Sequence, residues 1–120
     1  MASVGFHARL PRYEEALIPV AKLRDYLLDP NHPVGRPKAI YFARLGFGPR
    51  QWSLFEGELR ELISREPAWA FPIGPHGQKF QVSGTIRGPW KRSTKIVTYW
   101  IVSTLEVLPR FVTAYPRSKR

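Results

Sequence analysis

Apolar residues recur at two different spacings along this chain, and the change comes near Pro67. Before it the period is helical. Val20, Leu23, Leu27 and Leu28 lie between Pro19, which suits a first helical turn, and the Asp29-Pro30 stop, so a helix is predicted over about residues 20–28. Pro37 opens a second over about 37–45, carrying Ala39, Ile40, Phe42, Ala43 and Leu45 up to Gly46. Pro49 starts a third, in which Trp52, Phe55, Leu59, Leu62 and Ile63 fall on one face. Glu14 to Ile18 reads as a short extended lead-in after an irregular arm, residues 1–13.

Past Pro67 the pattern alternates, as a strand with one buried face requires. Strands are predicted at about residues 68–73, 78–87, 94–105 and 109–115, divided by Gly74-Pro75-His76-Gly77, Gly88-Pro89 and Val107-Leu108-Pro109. Phe80, Val82, Gly84 and Ile86 form the apolar face of the second, and Lys79, Gln81, Ser83, Thr85 and Arg87 the polar one. Short connections make the sheet antiparallel. The predicted class is α+β, with two to three N-terminal helices packed on a four-stranded antiparallel sheet whose other face is left for a ligand.

A length of 120 residues with 43% hydrophobic content fits one domain, 1–120, ending in a basic tail at 117–120. The absence of cysteine excludes disulfides, thiol nucleophiles and thiolate metal sites, and agrees with a reducing, cytoplasmic setting. No apolar run reaches the roughly 20 residues of a membrane span, and the N-terminus lacks a signal-peptide apolar region, so a soluble protein is expected.

Charge changes the picture most. The formal net charge is +10 and it is uneven: residues 1–60 hold nine basic and six acidic side chains, residues 61–120 ten and three. Between Glu66 and Glu106 stand Lys79, Arg87, Lys91, Arg92 and Lys95 with no acid, interleaved with aromatic and β-branched residues. Such a surface neutralises phosphates and releases counterions, which makes RNA the expected partner, with DNA still open.

Five segments carry a resemblance: Lys22 to Leu28 (Lys-Leu-x-x-Tyr-Leu-Leu), His32 to Gly35 (His-Pro-x-Gly), Lys38-Ala39, Leu45 to Phe47 (Leu-Gly-Phe), and Thr113 to Pro116 (Thr-Ala-Tyr-Pro). The pattern resembles an uncharacterised, toxin-associated bacterial domain family (DUF6883-like), which is similar to the barnase, EndoU, colicin and RelE-type ribonuclease superfamily. That resemblance implies helices on a four-stranded antiparallel sheet, metal-independent RNA cleavage and an acidic antitoxin or immunity protein as partner.

Cleavage through the RNA's own 2′-hydroxyl requires a base, an acid and cations for the charge developing on phosphorus. His32 is the candidate acid or base, in a turn-rich loop; the structural alternative is a loop-capping histidine. Lys38, at the start of the second helix, is a phosphate grip or an ordinary surface lysine, and the resemblance weighs for the former. Thr113 and Tyr115 share a side of the last strand and can complete a polar cluster. Phe111 shares their parity and reads as core, so either a bulge changes the phase or the two are partly structural. Arg110 has the opposite parity and joins the basic face. Of Tyr99 and Trp100, one belongs to the core. His76, in the Gly-Pro-His-Gly turn beside Lys79, is an exposed turn histidine or a second catalytic one.

Three scattered histidines, with no His-x-x-x-His spacing and no paired acids, give no metal site, and no phosphate-binding or dinucleotide glycine motif appears, so no cofactor is expected. The leading expectation is a small ribonuclease-type toxin. The alternatives are a non-catalytic nucleic-acid-binding module and a basic protein-interaction domain.

Overall fold

A computed structural model describes residues 2–117. The basic tail expected at 117–120 therefore lies, beyond Arg117, outside the described residues. In chain order the elements are β1 (Gly5–His7), a 3-10 turn (Tyr13–Glu15), α1 (Val20–Lys22) continuing into a π-helical turn (Leu23–Leu27), α2 (Arg36–Ala43), a 3-10 turn (Pro49–Gln51), α3 (Trp52–Arg65), β2 (Ala68–Ala70), β3 (Gly77–Arg87), β4 (Ser93–Ser103) and β5 (Arg110–Pro116).

The class is α+β, and the sheet is antiparallel, but it has five strands in the order β1-β2-β3-β4-β5, not four. The extra strand comes from the arm expected to be irregular: Gly5, Phe6 and His7 pair with Ala70, Trp69 and Ala68. Glu14 lies in a 3-10 turn rather than an extended lead-in, and only Leu17 bridges the sheet, in parallel, against Arg110. Phe71 N–H still donates to Lys79 O (3.0 Å), in register with β3, and Pro72 then has no N–H to carry the pairing on. β4 ends at Ser103, whose hydroxyl accepts from Leu105 N (3.1 Å) and closes a turn.

The first helix is mostly a π turn, closed by Leu28 N–H to Leu23 O (2.8 Å). An i to i+5 closure brings positions i, i+4 and i+5 to one side, so Leu23, Leu27 and Leu28 are all fully buried while Tyr26 turns toward β5. α2 ends at Ala43, and the turn after it reverses at Gly46, whose φ of +98° favours glycine, with Phe47 N–H reaching back to Phe42 O (3.1 Å).

One core lies between the helices and the sheet. Phe55, Leu59, Leu62 and Ile63 of α3 meet Phe80, Val82 and Ile86 of β3, Ile96 and Trp100 of β4, and Phe111 and Ala114 of β5. Trp100 is the core member of the Tyr99-Trp100 pair; its indole N–H donates to Thr98 Oγ1 (2.8 Å), which donates to Val82 O (2.7 Å). Among the described residues, no helix is long and apolar enough to cross a membrane.

Candidate functional site

β5 is an edge strand, and a bulge opposite Tyr99 and Trp100 decides which way its side chains point. Trp100 pairs with Phe111 and Tyr99 with Thr113, so Val112 is the additional residue. Phe111 and Ala114 are buried, whereas Thr113 and Tyr115 pair with Tyr99 and Val97 on the outer face. Of the two readings left open by parity, the structure therefore holds the bulge.

α2 packs against this same edge and projects Lys38 over it. The ammonium donates to Thr113 Oγ1 (3.1 Å) and to Tyr26 OH (3.3 Å), and lies 3.9 Å from the Tyr115 ring centroid and 5.5 Å from that of Tyr26. Two hydroxyls and an aromatic face hold a half-buried cation, and none of the described carboxylates forms an ion pair with it. Tyr26 is fixed in turn. Its ring meets the His32 imidazole edge to face (5.0 Å), and its carbonyl stands so near Gly35 that a Cβ there would sit 2.3 Å from the oxygen. Lys22, one helical turn before Tyr26, ties α1 to the bulge by donating to Val112 O (3.2 Å).

His32 is committed at Nδ1, which accepts the N–H groups of Val34 (3.0 Å) and Gly35 (3.1 Å) and so caps the entry to α2. Those bonds assign the proton to Nε2, and a ring in that state donates but has no free lone pair. These are loop-capping contacts. His76 is placed differently: it is exposed, on a groove of about 780 Å³ that runs over the outer face along Thr113, Tyr115, Tyr99 and Lys79 to Phe71. Tyr99 meets Tyr115 edge to face (6.0 Å), and Lys79 lies 5.8 Å from the Tyr99 ring.

The structure brings His32, Lys38, Thr113 and Tyr115 together through Tyr26, and Thr113 and Tyr115 also line the groove on which His76 and Lys79 stand. It does not bring in the rest. Arg110 is bonded to Glu106 (2.9 and 3.3 Å); this hydrogen-bonded pairing raises the guanidinium further and holds the Glu106 carboxyl below its usual range. Arg87 stands at the far end of β3, where its backbone N–H donates to Glu58 (2.8 Å). Lys91 occupies the β3–β4 turn with φ +60°, and Arg92 and Lys95 line a separate groove. The residue missed from sequence is Tyr26. Its signal was the Lys22-to-Leu28 segment itself, where a tyrosine four residues after a lysine shares a helix side with it. Among the described residues no three His, Cys, Asp or Glu side chains gather as a metal site.

These features define an α+β domain with helices on one face of an antiparallel sheet and, at its edge, a lysine pocket in which no described carboxylate pairs with the ammonium. The chain belongs to DUF6883, a family described as a domain of unknown function, whose family model matches residues 9–118. No curated protein matches the sequence. The fold is similar to a chain of the contact-dependent growth inhibition toxin and immunity protein complex from Klebsiella pneumoniae 342, with a TM-score of 0.66 at 13% identity, covering 84% of this chain and 99% of that one.

Proposed function

We propose that this domain is a small ribonuclease-type toxin that cleaves RNA without metal through its own 2′-hydroxyl. The observation that carries the reading is Lys38, a half-buried ammonium held by Thr113, Tyr26 and Tyr115 and paired with no described carboxylate. A phosphate is the anion such a pocket lacks. In the reaction the 2′-oxygen attacks phosphorus, the bond to the 5′-oxygen breaks, and a 2′,3′-cyclic phosphate remains. Lys38 stabilises the negative charge on the non-bridging oxygens, with Thr113 and Tyr26 fixing its position. The 2′ proton must leave and a proton must reach the 5′-oxygen. His76 stands on the turn at the other end of the groove from Thr113 and Tyr115, and it carries that exchange only with its turn folded toward the Lys38 pocket, which would bring the imidazole within hydrogen-bond reach of the reacting oxygens. His32 positions Tyr26 and the α2 entry, and its Nε2–H is a donor toward the substrate. Tyr99 and Tyr115 offer rings for base stacking, with Lys79 beside them.

The toxin part of the reading is supported by the fold shared with a chain of a toxin and immunity protein complex. A toxin acting on RNA requires restraint, and an acidic immunity or antitoxin protein covering the basic face would supply it, with fast, electrostatically steered association. The engagement of His32 Nδ1 favours one second reading, a module that binds RNA and leaves it intact.

The test is incubation of end-labelled total RNA with the protein in excess EDTA at low salt, beside Lys38→Ala and His76→Ala. Discrete cleavage by the parent, lost in both variants while RNA still binds, is the expected result. Intact RNA with retarded migration would replace the toxin reading with the binding module.

A further inference from the structure

A second groove, of about 1400 Å³, lies on the other side of Tyr115 and Pro116 and is more basic than the first. Its lining includes Arg44, just past α2, Arg92 and Lys95 at the start of β4, and Arg117, just past β5. None of these four forms an ion pair with a described carboxylate. Arg117 N–H donates to Lys95 O (2.8 Å), which extends the β4–β5 ladder and holds two of the cations side by side. Hydroxyls stand among them: Thr94 shares a hydrogen bond with Tyr41, and Ser93 and Thr85 also line the groove.

α2 stands between the two places: Lys38 and Tyr41, three residues apart, are neighbours on its surface, Lys38 at the first site, and Tyr41 with Arg44, just past the helix, lines the second groove. An aromatic platform stands at the second groove's border. Trp90 donates its backbone N–H to Leu45 O (3.3 Å), a lining residue, and its ring lies against Gly46, where an added Cβ would be 3.0 Å away, yet Trp90 is 66% exposed. Unpaired arginines, hydroxyls and an exposed indole together match the requirements of single-stranded nucleic acid, whose backbone takes the cations and whose bases take the ring. An acidic peptide would meet the cations but carries no base at each step to stack on Trp90.

We infer that this groove is a second subsite for single-stranded RNA, which carries the strand beyond the phosphate held at Lys38. The continuity of the track rests on the proposed RNA site at Lys38; the subsite itself rests on Arg44, Arg92, Lys95 and Trp90. The test measures fluorescence anisotropy of 2′-O-methyl oligouridylates, a trinucleotide and a dodecanucleotide, which cannot be cleaved because the attacking hydroxyl is blocked. Four proteins are compared: the parent, Lys38→Ala, the triple variant Arg44→Ala, Arg92→Ala, Lys95→Ala, and a charge-matched control, Arg9→Gln, Arg50→Gln, Arg65→Gln.

The parent is expected to bind the longer strand more tightly. The triple variant should lose roughly ten-fold or more of that affinity and about 2 units of the log–log salt slope, whereas Lys38→Ala should weaken both lengths. The control should keep the preference for length. A triple variant that binds the long strand as the parent does, or a control that loses as much, would overturn the subsite. Equal competition by a polyglutamate of the same length would overturn it in favour of an acidic protein ligand. If the parent binds the long strand through these residues but cleaves no RNA, the ribonuclease reading falls and the subsite stands.

Discussion

Helix α3 and the α2–β5 edge both carry charged side chains at the surface, but they treat them in opposite ways. On α3, Arg60 pairs with Glu56 (2.8 Å), and Arg65 reaches Glu61 (4.0 Å) and Glu66 (3.5 Å), so each cation meets an acid one turn away or next along the chain. At the α2–β5 edge, Lys38 has hydroxyls and a ring, and Arg44, Arg92, Lys95 and Arg117 have no described acid. Surface pairs of the first kind contribute only about 0.2–1 kcal/mol each. Cations of the second kind gain no ion-pair energy and add self-repulsion. The difference is the ground for reading α3 as scaffold and for the proposal that an outside anion completes the electrostatics of the edge.

The comparison can be broken from below, through the core both regions share. Trp100→Ala removes a fully buried side chain and orphans Thr98, and should cost about 3–5 kcal/mol in chemical denaturation, taking both regions down together. Lys38→Ala sharpens the contrast. RNA cleavage should fall about 100-fold or more while the melting temperature stays near that of the parent; an active variant would remove the edge from the mechanism. Gly35→Ala pushes a methyl against the Tyr26 carbonyl and should destabilise by about 1–3 kcal/mol. It should lower cleavage as well, since Tyr26 holds Lys38. On the scaffold side, Glu56→Ala should cost about 0.5 kcal/mol and leave RNA cleavage and binding unchanged.

The smallest effect is in acid. Arg110, chiefly by hydrogen bonding, holds the exposed Glu106 carboxyl below its usual range. A carboxyl lowered in the folded state adds stability above the ordinary glutamate range and loses it as pH falls through the lowered one. Parent and Glu106→Gln should therefore differ slightly in thermal unfolding at neutral pH and coincide in strong acid.

Much of the scaffold was legible in the sequence, because α3 and β3 carry long runs of a single period. Phe55, Leu59, Leu62 and Ile63 recur helically, and Phe80, Val82 and Ile86 alternate, and all are buried. What escaped was short or irregular. Gly5-Phe6-His7 is too brief to show alternation, so β1 was read as an arm. The π turn has no sequence period of its own, and the bulge at Val112, which aims Thr113 and Tyr115, was only one of two open readings. The site was half legible for the same reason. Lys38, Thr113 and Tyr115 lie in recognisable segments, but the hydrogen bond from Lys38 to Tyr26, twelve residues earlier, follows from no local spacing. Arg44 and Arg117 reach one groove from α2 and β5, positions that no local spacing connects.

The central claim is that the unpaired lysine at the sheet edge stabilises charge during RNA cleavage. Its most direct test follows end-labelled RNA in excess EDTA with the parent protein and Lys38→Ala side by side. Cleavage by the parent, reduced about 100-fold or more in a folded variant that still binds RNA, is the expected result. Equal cleavage by both proteins, or none by either, would contradict it.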